Sequence, residues 1–134
     1  MNSQIYLNLP VKDLEKSIEF FTKLGFKFNP KFTDENSTCI IVGDDIYVML
    51  LVNKYFKTFT KKEIPETDKN SEVIIAITED SKERVDFMMD KVNDAGGKEF
   101  RETEDYGWLY GRYFEDLDGH QWAFFWMDPS KKES

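Results

Sequence analysis

Cysteine and histidine are almost missing, because the 134 residues include only Cys39 and His120. A lone cysteine cannot form an internal disulfide, which favours a reducing compartment. The opening residues have no basic segment followed by an apolar stretch, so we expect no secretory signal. No apolar run approaches the roughly 20 residues that cross a bilayer. These absences predict a cytoplasmic protein that does not span a membrane.

Basic residues are fewer than acidic ones: the sequence has 18 lysines and arginines and 26 aspartates and glutamates, which gives a formal net charge of −8. An acidic surface repels phosphate backbones, and the sequence has no basic stripe with interleaved aromatic residues. We therefore expect no nucleic-acid partner. A local group of lysines in residues 54–62 is explained by a solvated loop.

The common catalytic signatures are missing as well. The sequence has no P-loop, no dinucleotide-binding glycine fingerprint and no G-x-S-x-G nucleophile motif. Cys39 lies in an apolar strand-like run, which indicates a small core residue. His120 follows the turn residue Gly119, so we expect it to face solvent or to hydrogen-bond within the loop. The motifs alone therefore identify no catalytic residue.

Aromatic residues, in contrast, are plentiful: 12 Phe, 6 Tyr and 3 Trp. So many large apolar side chains need an interior, and a chain of this length is long enough to form one domain with a substantial core. The sequence therefore predicts a single globular domain.

Two segments have the apolar spacing of an amphipathic helix. Asp13 is placed to cap the first helix and Gly25 to end it, while Ser81 and Gly96 have the same roles in the second. Leu14 and Val85 open the two patterns, 71 residues apart. The apolar positions are Leu14, Ile18, Phe21 and Leu24 in the first helix, and Val85, Met88, Met89, Val92 and Ala95 in the second.

The order and spacing of the predicted elements indicate an internal duplication. One strand-like run precedes each helix and three follow it, with turns rich in Gly and Asp before the last run. The order β-α-β-β-β therefore occurs twice, which predicts module one in residues 1–52 and module two in residues 71–134. The strand-like runs are residues 5–11, 26–33, 38–42 and 46–52, then 72–77, 98–103, 107–115 and 121–127.

A linker of residues 53–70 connects the modules. It is charged and contains Pro65, and a connection of this length is either a functional loop or a flexible tether. Its aromatic residues Tyr55, Phe56 and Phe59 are compatible with packing over a site and equally with holding the linker to the surface.

Two motifs carry a family resemblance. The stretch LPVKDLEKS at residues 9–17, continued by FF at 20–21 and LGF at 24–26, resembles the opening of the vicinal oxygen chelate superfamily. That superfamily includes glyoxalase I, bleomycin-resistance proteins and extradiol dioxygenases. The stretch FEDLDGHQW at residues 114–122 resembles its closing turn. The resemblance implies an α+β fold in which two βαβββ modules form paired half-barrel sheets around a cup-shaped cavity.

The resemblance also implies where a metal would be held. Metal-using members place His or Glu on the first and last strands of each half. The matching positions in this sequence are Tyr6, Val48, Glu72 and Ala123. A catalytic divalent metal needs about three protein ligands, and Val and Ala offer none. We therefore expect no metal ligands and no cofactor.

Strand alternation then indicates which side chains line the cup. Strand 107–115 offers Tyr110 and Arg112 on one face, but the sequence does not decide whether that face lines the cup. An equally simple interpretation is that the aromatic residues fill a closed core. The proposed ligand-binding residues are Tyr6, Asn8, Val48, Glu72, Tyr110, Arg112, Gln121, Ala123 and Phe125.

Glu72 is the one weak catalytic candidate. In an apolar cup without a metal, desolvation would raise its pKa and suit it to general-base chemistry. A surface position, or an ion pair with Arg112, is the simpler interpretation.

The resulting functional prediction is a small-molecule binding protein without a catalytic metal. The resemblance also implies that the protein is a homodimer. Two alternatives stay open: a metal-dependent lyase or dioxygenase similar to glyoxalase I, and a non-catalytic interaction domain with a filled core. The ligand, and whether the chain is an enzyme at all, do not follow from the sequence.

Overall fold

The computed structural model describes residues 3–131 as an α+β chain with two separate mixed sheets. The chain divides into two compact units between Glu66 and Thr67, inside the predicted linker 53–70. Each unit has one sheet and one long helix, and both sheets are open rather than closed into barrels. The α+β fold expected from the sequence, with one sheet and one long helix in each half, is confirmed. No helix in the described part of the chain is both long and apolar enough to cross a membrane.

The first unit has a four-stranded sheet in the order β1-β4-β3-β2. Strands β1 and β4 are parallel, and the other neighbours are antiparallel. A crossover through α1 is what allows β1 to lie parallel to a later strand. The elements are β1 (Ile5–Val11), α1 (Leu14–Lys23), β2 (Lys27–Phe28), β3 (Ser37–Gly43), β4 (Ile46–Val52) and the short helix α2 (Asn53–Phe56).

Helix α1 is fixed at both ends by the residues that its sequence pattern indicated. The Asp13 side chain accepts a hydrogen bond from the Lys16 backbone N–H at 3.1 Å. Gly25 has φ 98°, a left-handed conformation that favours glycine directly after a helix. Phe20 and Phe21 are buried on the side of the helix that packs against β3 and β4. Burying two such rings contributes roughly 1.5–3 kcal/mol each.

The second unit has a sheet in the order β5-β9-β8-β6, with β7 also paired to β8. Strands β5 and β9 are parallel, as β1 and β4 are in the first unit. Ser81 caps the long helix α3 through the Arg84 N–H at 3.0 Å, and Gly96 ends it at φ 101°. The elements are β5 (Ile74–Thr78), α3 (Lys82–Ala95), β6 (Lys98–Glu99), β7 (Glu104–Asp105), β8 (Leu109–Glu115) and β9 (Gln121–Met127).

Four predicted strands are shorter or more broken than their sequence patterns indicated. The run 107–115 is the least affected, because β8 only begins two residues later, at Leu109. The run 26–33 contains only β2, because Asn29 caps a 3-10 turn at Pro30–Phe32 and Pro30 has no N–H for the ladder. The run 98–103 contains only β6, and the chain pairs with β8 again from Glu104. The run 72–77 becomes β5 and begins two residues later, after the Ser71 hydroxyl donates to the Val73 carbonyl oxygen.

Candidate functional site

Each sheet has one face covered by its long helix and one face turned away from it, which we call the distal face. In the first sheet the strand register pairs Tyr6 with Tyr47, and Tyr47 with Ile41. Directly paired residues share a face of a sheet. Asn8, Met49 and Cys39 form the next row on the same face. The predicted residues Tyr6 and Asn8 therefore lie together on the distal face of the first sheet.

Val48 lies on the other face, so its predicted place beside Tyr6 is wrong. The register pairs Val48 with Leu7 and Ile40, and its side chain is fully buried in the core on the α1 side. Because side chains alternate along a strand, Tyr47 and Met49 take the distal positions of β4. Val48 is a core residue of this unit.

Three aromatic rings meet on the distal face of the first sheet. The Tyr6 and Tyr47 rings stack with centroids 4.7 Å apart at 17°, and Phe32 meets Tyr6 edge-on at 6.2 Å. Tyr6 is 39% exposed and Phe32 is 45% exposed. Desolvation, followed by the field of Tyr47, raises the pKa of the Tyr6 phenol. The Asn8 amide donates to the Tyr6 carbonyl oxygen at 3.2 Å. This arrangement offers aromatic surface to a ligand, with little proton-transfer chemistry.

The distal face of the second sheet carries three predicted residues, Gln121, Ala123 and Phe125. The register pairs Ala123 with Ala76 in β5 and with Tyr113 in β8, so these side chains share the face. Ala123 is buried, whereas Gln121 and Phe125 are partly exposed. The sequence prediction that these three residues lie on one face agrees with the register.

Tyr110 and Arg112 lie on the α3 side of β8, opposite Gln121, Ala123 and Phe125. The Tyr110 hydroxyl donates to Asp86 of α3 at 2.6 Å, and Arg112 donates to the same carboxylate at 2.9 Å. Arg112 also pairs with Glu99. Burial, together with the hydrogen bond to Asp86, raises the pKa of Tyr110 to about 12. These two residues hold α3 against the sheet and do not line the distal face.

Glu72 is exposed and precedes β5, which begins at Ile74. Arg112, its expected partner, pairs instead with Asp86 and Glu99. The general-base interpretation needs a side chain enclosed in an apolar cup, and Glu72 lies exposed outside the strand.

The four implied ligand positions do not fit a divalent metal. Tyr6 offers a phenol whose pKa is raised, Ala123 offers no donor, Val48 lies in the core and Glu72 lies outside the strand. Across residues 3–131, no three His, Cys, Asp or Glu side chains are grouped in the way that a metal site needs. His120 instead belongs to the closing turn, where its backbone N–H donates to Asp116.

The closing turn between β8 and β9 is organised by the buried carboxylate of Asp116. It accepts hydrogen bonds from the backbone N–H groups of Asp118 and His120 and from Nε1–H of Trp122, at 2.9–3.0 Å. Burial raises the pKa of Asp116 to about 6, and the nearby His120 and the Trp122 hydrogen bond oppose part of that rise. The geometry gives this motif a structural role in holding the hairpin.

Sequence reasoning missed three residues of the distal faces: Tyr47, Phe32 and Tyr113. The sequence did contain a signal for which face of β4 is the core. Val48 and Leu50 are aliphatic, whereas the alternating residues Tyr47 and Met49 are not. On β1 the same contrast separates the buried residues Leu9 and Val11 from Tyr6. Phe32 gave no such signal, because its place depends on the 3-10 turn. In the second unit the Tyr113 hydroxyl donates to Glu104 at 2.8 Å.

Residues 5–43 match the family described as bleomycin resistance protein-like N-terminal. Hypothetical protein SA1046 from S. aureus is a solved structure that is 34% identical, with a TM-score of 0.79, and the match covers 93% of this chain and 94% of that one. No curated protein matches the chain.

More distant solved structures share the fold. A glyoxalase/bleomycin resistance protein/dioxygenase family enzyme from Burkholderia phytofirmans PsJN is 12% identical with a TM-score of 0.77, covering 94% of this chain and 99% of that one. A glyoxalase/bleomycin resistance protein/dioxygenase from Nocardioides is 22% identical with a TM-score of 0.74, covering 100% of this chain and 89% of that one.

Proposed function

Because the chain belongs to the vicinal oxygen chelate superfamily, we propose that it is a small-molecule binding protein that works without a resident metal ion. The observation that carries the proposal is the donor set at the implied metal positions. Two of the four side chains, Val48 and Ala123, have no donor atom, and Val48 also lies on the wrong face. A divalent catalytic site needs about three protein ligands and an open position.

Each distal face, taken by itself, is a candidate binding surface in this proposal. Binding sites for small molecules are mostly apolar and aromatic, with a few polar groups that orient the ligand. Tyr6, Tyr47 and Phe32 provide aromatic surface in the first unit, and Gln121 and Phe125 provide a polar and an aromatic group in the second. Exposed aromatic surface also argues against the alternative of a filled core.

Metal analysis of the purified full chain tests the metal-free part of the proposal. The protein is dialysed against Zn²⁺, Ni²⁺, Mn²⁺ or Fe²⁺, passed through a desalting column and analysed by inductively coupled plasma mass spectrometry. We expect substoichiometric metal in every case. One tightly held ion per chain, together with a catalytic activity that chelation abolishes, would instead establish the lyase or dioxygenase alternative.

A thermal-shift screen of small molecules, with and without EDTA, tests the binding part. We expect ligands whose stabilisation EDTA leaves unchanged. Each hit is then measured on Tyr6→Leu and Phe125→Leu, with Phe87→Leu as the matched control because Phe87 is an exposed ring on α3. Loss of binding in all three variants alike, or in none, contradicts a site on the distal faces.

We also propose that the protein is a cytoplasmic homodimer. A lone thiol, buried at Cys39, suits a reducing compartment, and superfamily resemblance supports the dimer. Sedimentation velocity over a range of protein concentrations tests the assembly: a single monomeric species at every concentration contradicts it. Fractionation of cells that express the chain tests the location, and recovery of the protein with membranes or medium contradicts it.

A further inference from the structure

One row of side chains runs straight across the distal face of the first sheet. The register pairs Tyr6 with Tyr47, Tyr47 with Ile41, and Ile41 with Lys27, so the row crosses all four strands. Neighbouring strands are about 4.8 Å apart, so three steps span about 14 Å. Tyr6, Ile41 and Lys27 are exposed, and Tyr47 is partly exposed. We call these four residues the distal row.

The distal row changes character from one end to the other. At one end the Tyr6 and Tyr47 rings stack nearly parallel, and Phe32 meets Tyr6 edge-on. In the middle, Ile41 is an exposed aliphatic residue. At the other end Lys27 is a cation for which residues 3–131 provide no ion-pair partner within 4.0 Å. The row therefore joins an aromatic platform to a positive charge that has no ion-pair partner in the described part of the chain.

This inference rests on the proposed function and names its ligand class: we propose that the distal row binds a flat aromatic molecule that carries one carboxylate. The rings of the ligand pack on Tyr6 and Tyr47 and extend over Ile41. The carboxylate pairs with Lys27, which is two strand spacings, about 10 Å, from Tyr47. Stacking and charge act at separate points, so each is testable by itself. A metal is not needed to orient such a ligand, because the lysine fixes one end of it.

The other charges near the row favour this orientation. Asp45 is the carboxylate that acts on the Tyr6 phenol, so the aromatic end lies in a negative field. A ligand carboxylate is repelled from that end and attracted to Lys27 at the other. The charge pattern thus selects one direction of binding along the row.

The test uses three probes that share one ring system: 2-naphthoate, 2-naphthylmethanol and 2-naphthylmethylamine. Each is titrated into the isotope-labelled full chain, with the Ile41 methyl group observed by NMR. We expect 2-naphthoate to shift the Ile41 signal and to bind more tightly than the neutral probe, and the amine to bind most weakly.

Variants separate the two contacts. Lys27→Gln should weaken 2-naphthoate about threefold, the range of an exposed ion pair, and leave 2-naphthylmethanol unchanged. Lys16→Gln, the same charge change on α1, is the matched control and should change neither. Tyr47→Leu should weaken both probes about fivefold through lost stacking, while Tyr47→Phe keeps the ring and near-native affinity. If Tyr47→Leu does not fold, Tyr6→Leu makes the same measurement at the edge strand.

Three results would overturn the assignment: no probe binds at millimolar concentration, Lys27→Gln and Lys16→Gln behave alike, or 2-naphthoate leaves Ile41 unshifted. Naphthoate that binds elsewhere, for example with shifts confined to the second unit, removes the distal row but leaves metal-free binding standing. Metal analysis decides the proposed function separately, because a stoichiometric essential ion would overturn it whatever the probes do.

Discussion

The two units share an element order but differ on their distal faces. The first presents stacked tyrosines, an exposed isoleucine and a lysine with no ion-pair partner among the described residues, whereas the second presents Ala76, Ala123 and the Tyr113–Glu104 hydrogen bond. Their helix-covered faces, in contrast, both bury large apolar side chains. The difference indicates that the covered faces are constrained by folding, which leaves the distal faces free to diverge in chemistry.

The largest expected effect tests which face of β4 is core. Val48→Asp should lower the free energy of unfolding by about 4 kcal/mol, or prevent folding, because it buries an unpaired carboxylate. Ile41→Asp, in the neighbouring strand on the distal face, is the control and should cost less than about 1 kcal/mol. Urea denaturation followed by circular dichroism measures both. Equal losses would mean that the two faces do not differ as described.

A second prediction concerns the closing turn of the second unit. Gly119 has φ 84°, and a Cβ there would lie 2.6 Å from the Thr67 carbonyl oxygen and 2.8 Å from the Asp68 Cα. Gly119→Ala should therefore cost about 3 kcal/mol, from backbone strain and from collision with backbone atoms. Gly107→Ala has a similar φ of 82° but open space around it, so it should cost about 1 kcal/mol. Denaturant midpoints that coincide would contradict the steric part.

A third prediction concerns pH. The pKa of Asp116 is raised from 3.8 to about 6, so the folded unit holds a proton that the unfolded chain releases. Its contribution to stability is full below about pH 4 and is lost as the pH rises through 6, by about 2 kcal/mol across the window. Asp116→Asn, which cannot titrate, should remove this slope.

The measurement is the free energy of unfolding from pH 4 to pH 7 for both proteins. The control variant is Asp128→Asn, which removes a carboxylate that lies outside the closing turn. A wild-type curve that is parallel to the Asp116→Asn curve would show that the carboxylate titrates normally.

The smallest effects test the likeness of the two units. Asp13 caps α1 and Ser81 caps α3, each through a hydrogen bond of 3.0–3.1 Å to a backbone N–H three residues later. Asp13→Ala and Ser81→Ala should each cost about 1 kcal/mol. Thermal unfolding of the two variants measures the loss, and a large difference between them would mean that the caps are not equivalent.

Much of the fold follows from the sequence because its signals are local. The bounds of β1, β4 and β9 agree with the predicted runs 5–11, 46–52 and 121–127, and the helix caps agree too. These elements have strong alternation or helical periodicity and clear turn residues. The runs 26–33 and 98–103 failed because Asn29 and Pro30 favour a turn, and because pairing with β8 breaks between β6 and β7.

The candidate site is less predictable, because a face depends on register. The hairpin before β4 leaves two residues between Gly43 and Ile46 and has a register shift between Ile41 and Gly43. The hairpin before β9 leaves five residues between Glu115 and Gln121. Counting from one closing turn to the other therefore made Val48 the counterpart of Ala123 in the first module, and a slip of one residue exchanges the faces. Which face of β8 Tyr110 and Arg112 occupy depends on where α3 packs, and local sequence patterns do not contain that information.

The placement of Cys39 gives the molecule a built-in pair of reporters. The single thiol is fully buried in the first unit, and all three tryptophans, Trp108, Trp122 and Trp126, belong to the second. Thiol-reagent labelling rates thus follow opening of the first unit, while indole fluorescence follows loss of structure in the second. The native chain, with no engineered dye or tag, can reveal whether its two halves unfold together or one after the other.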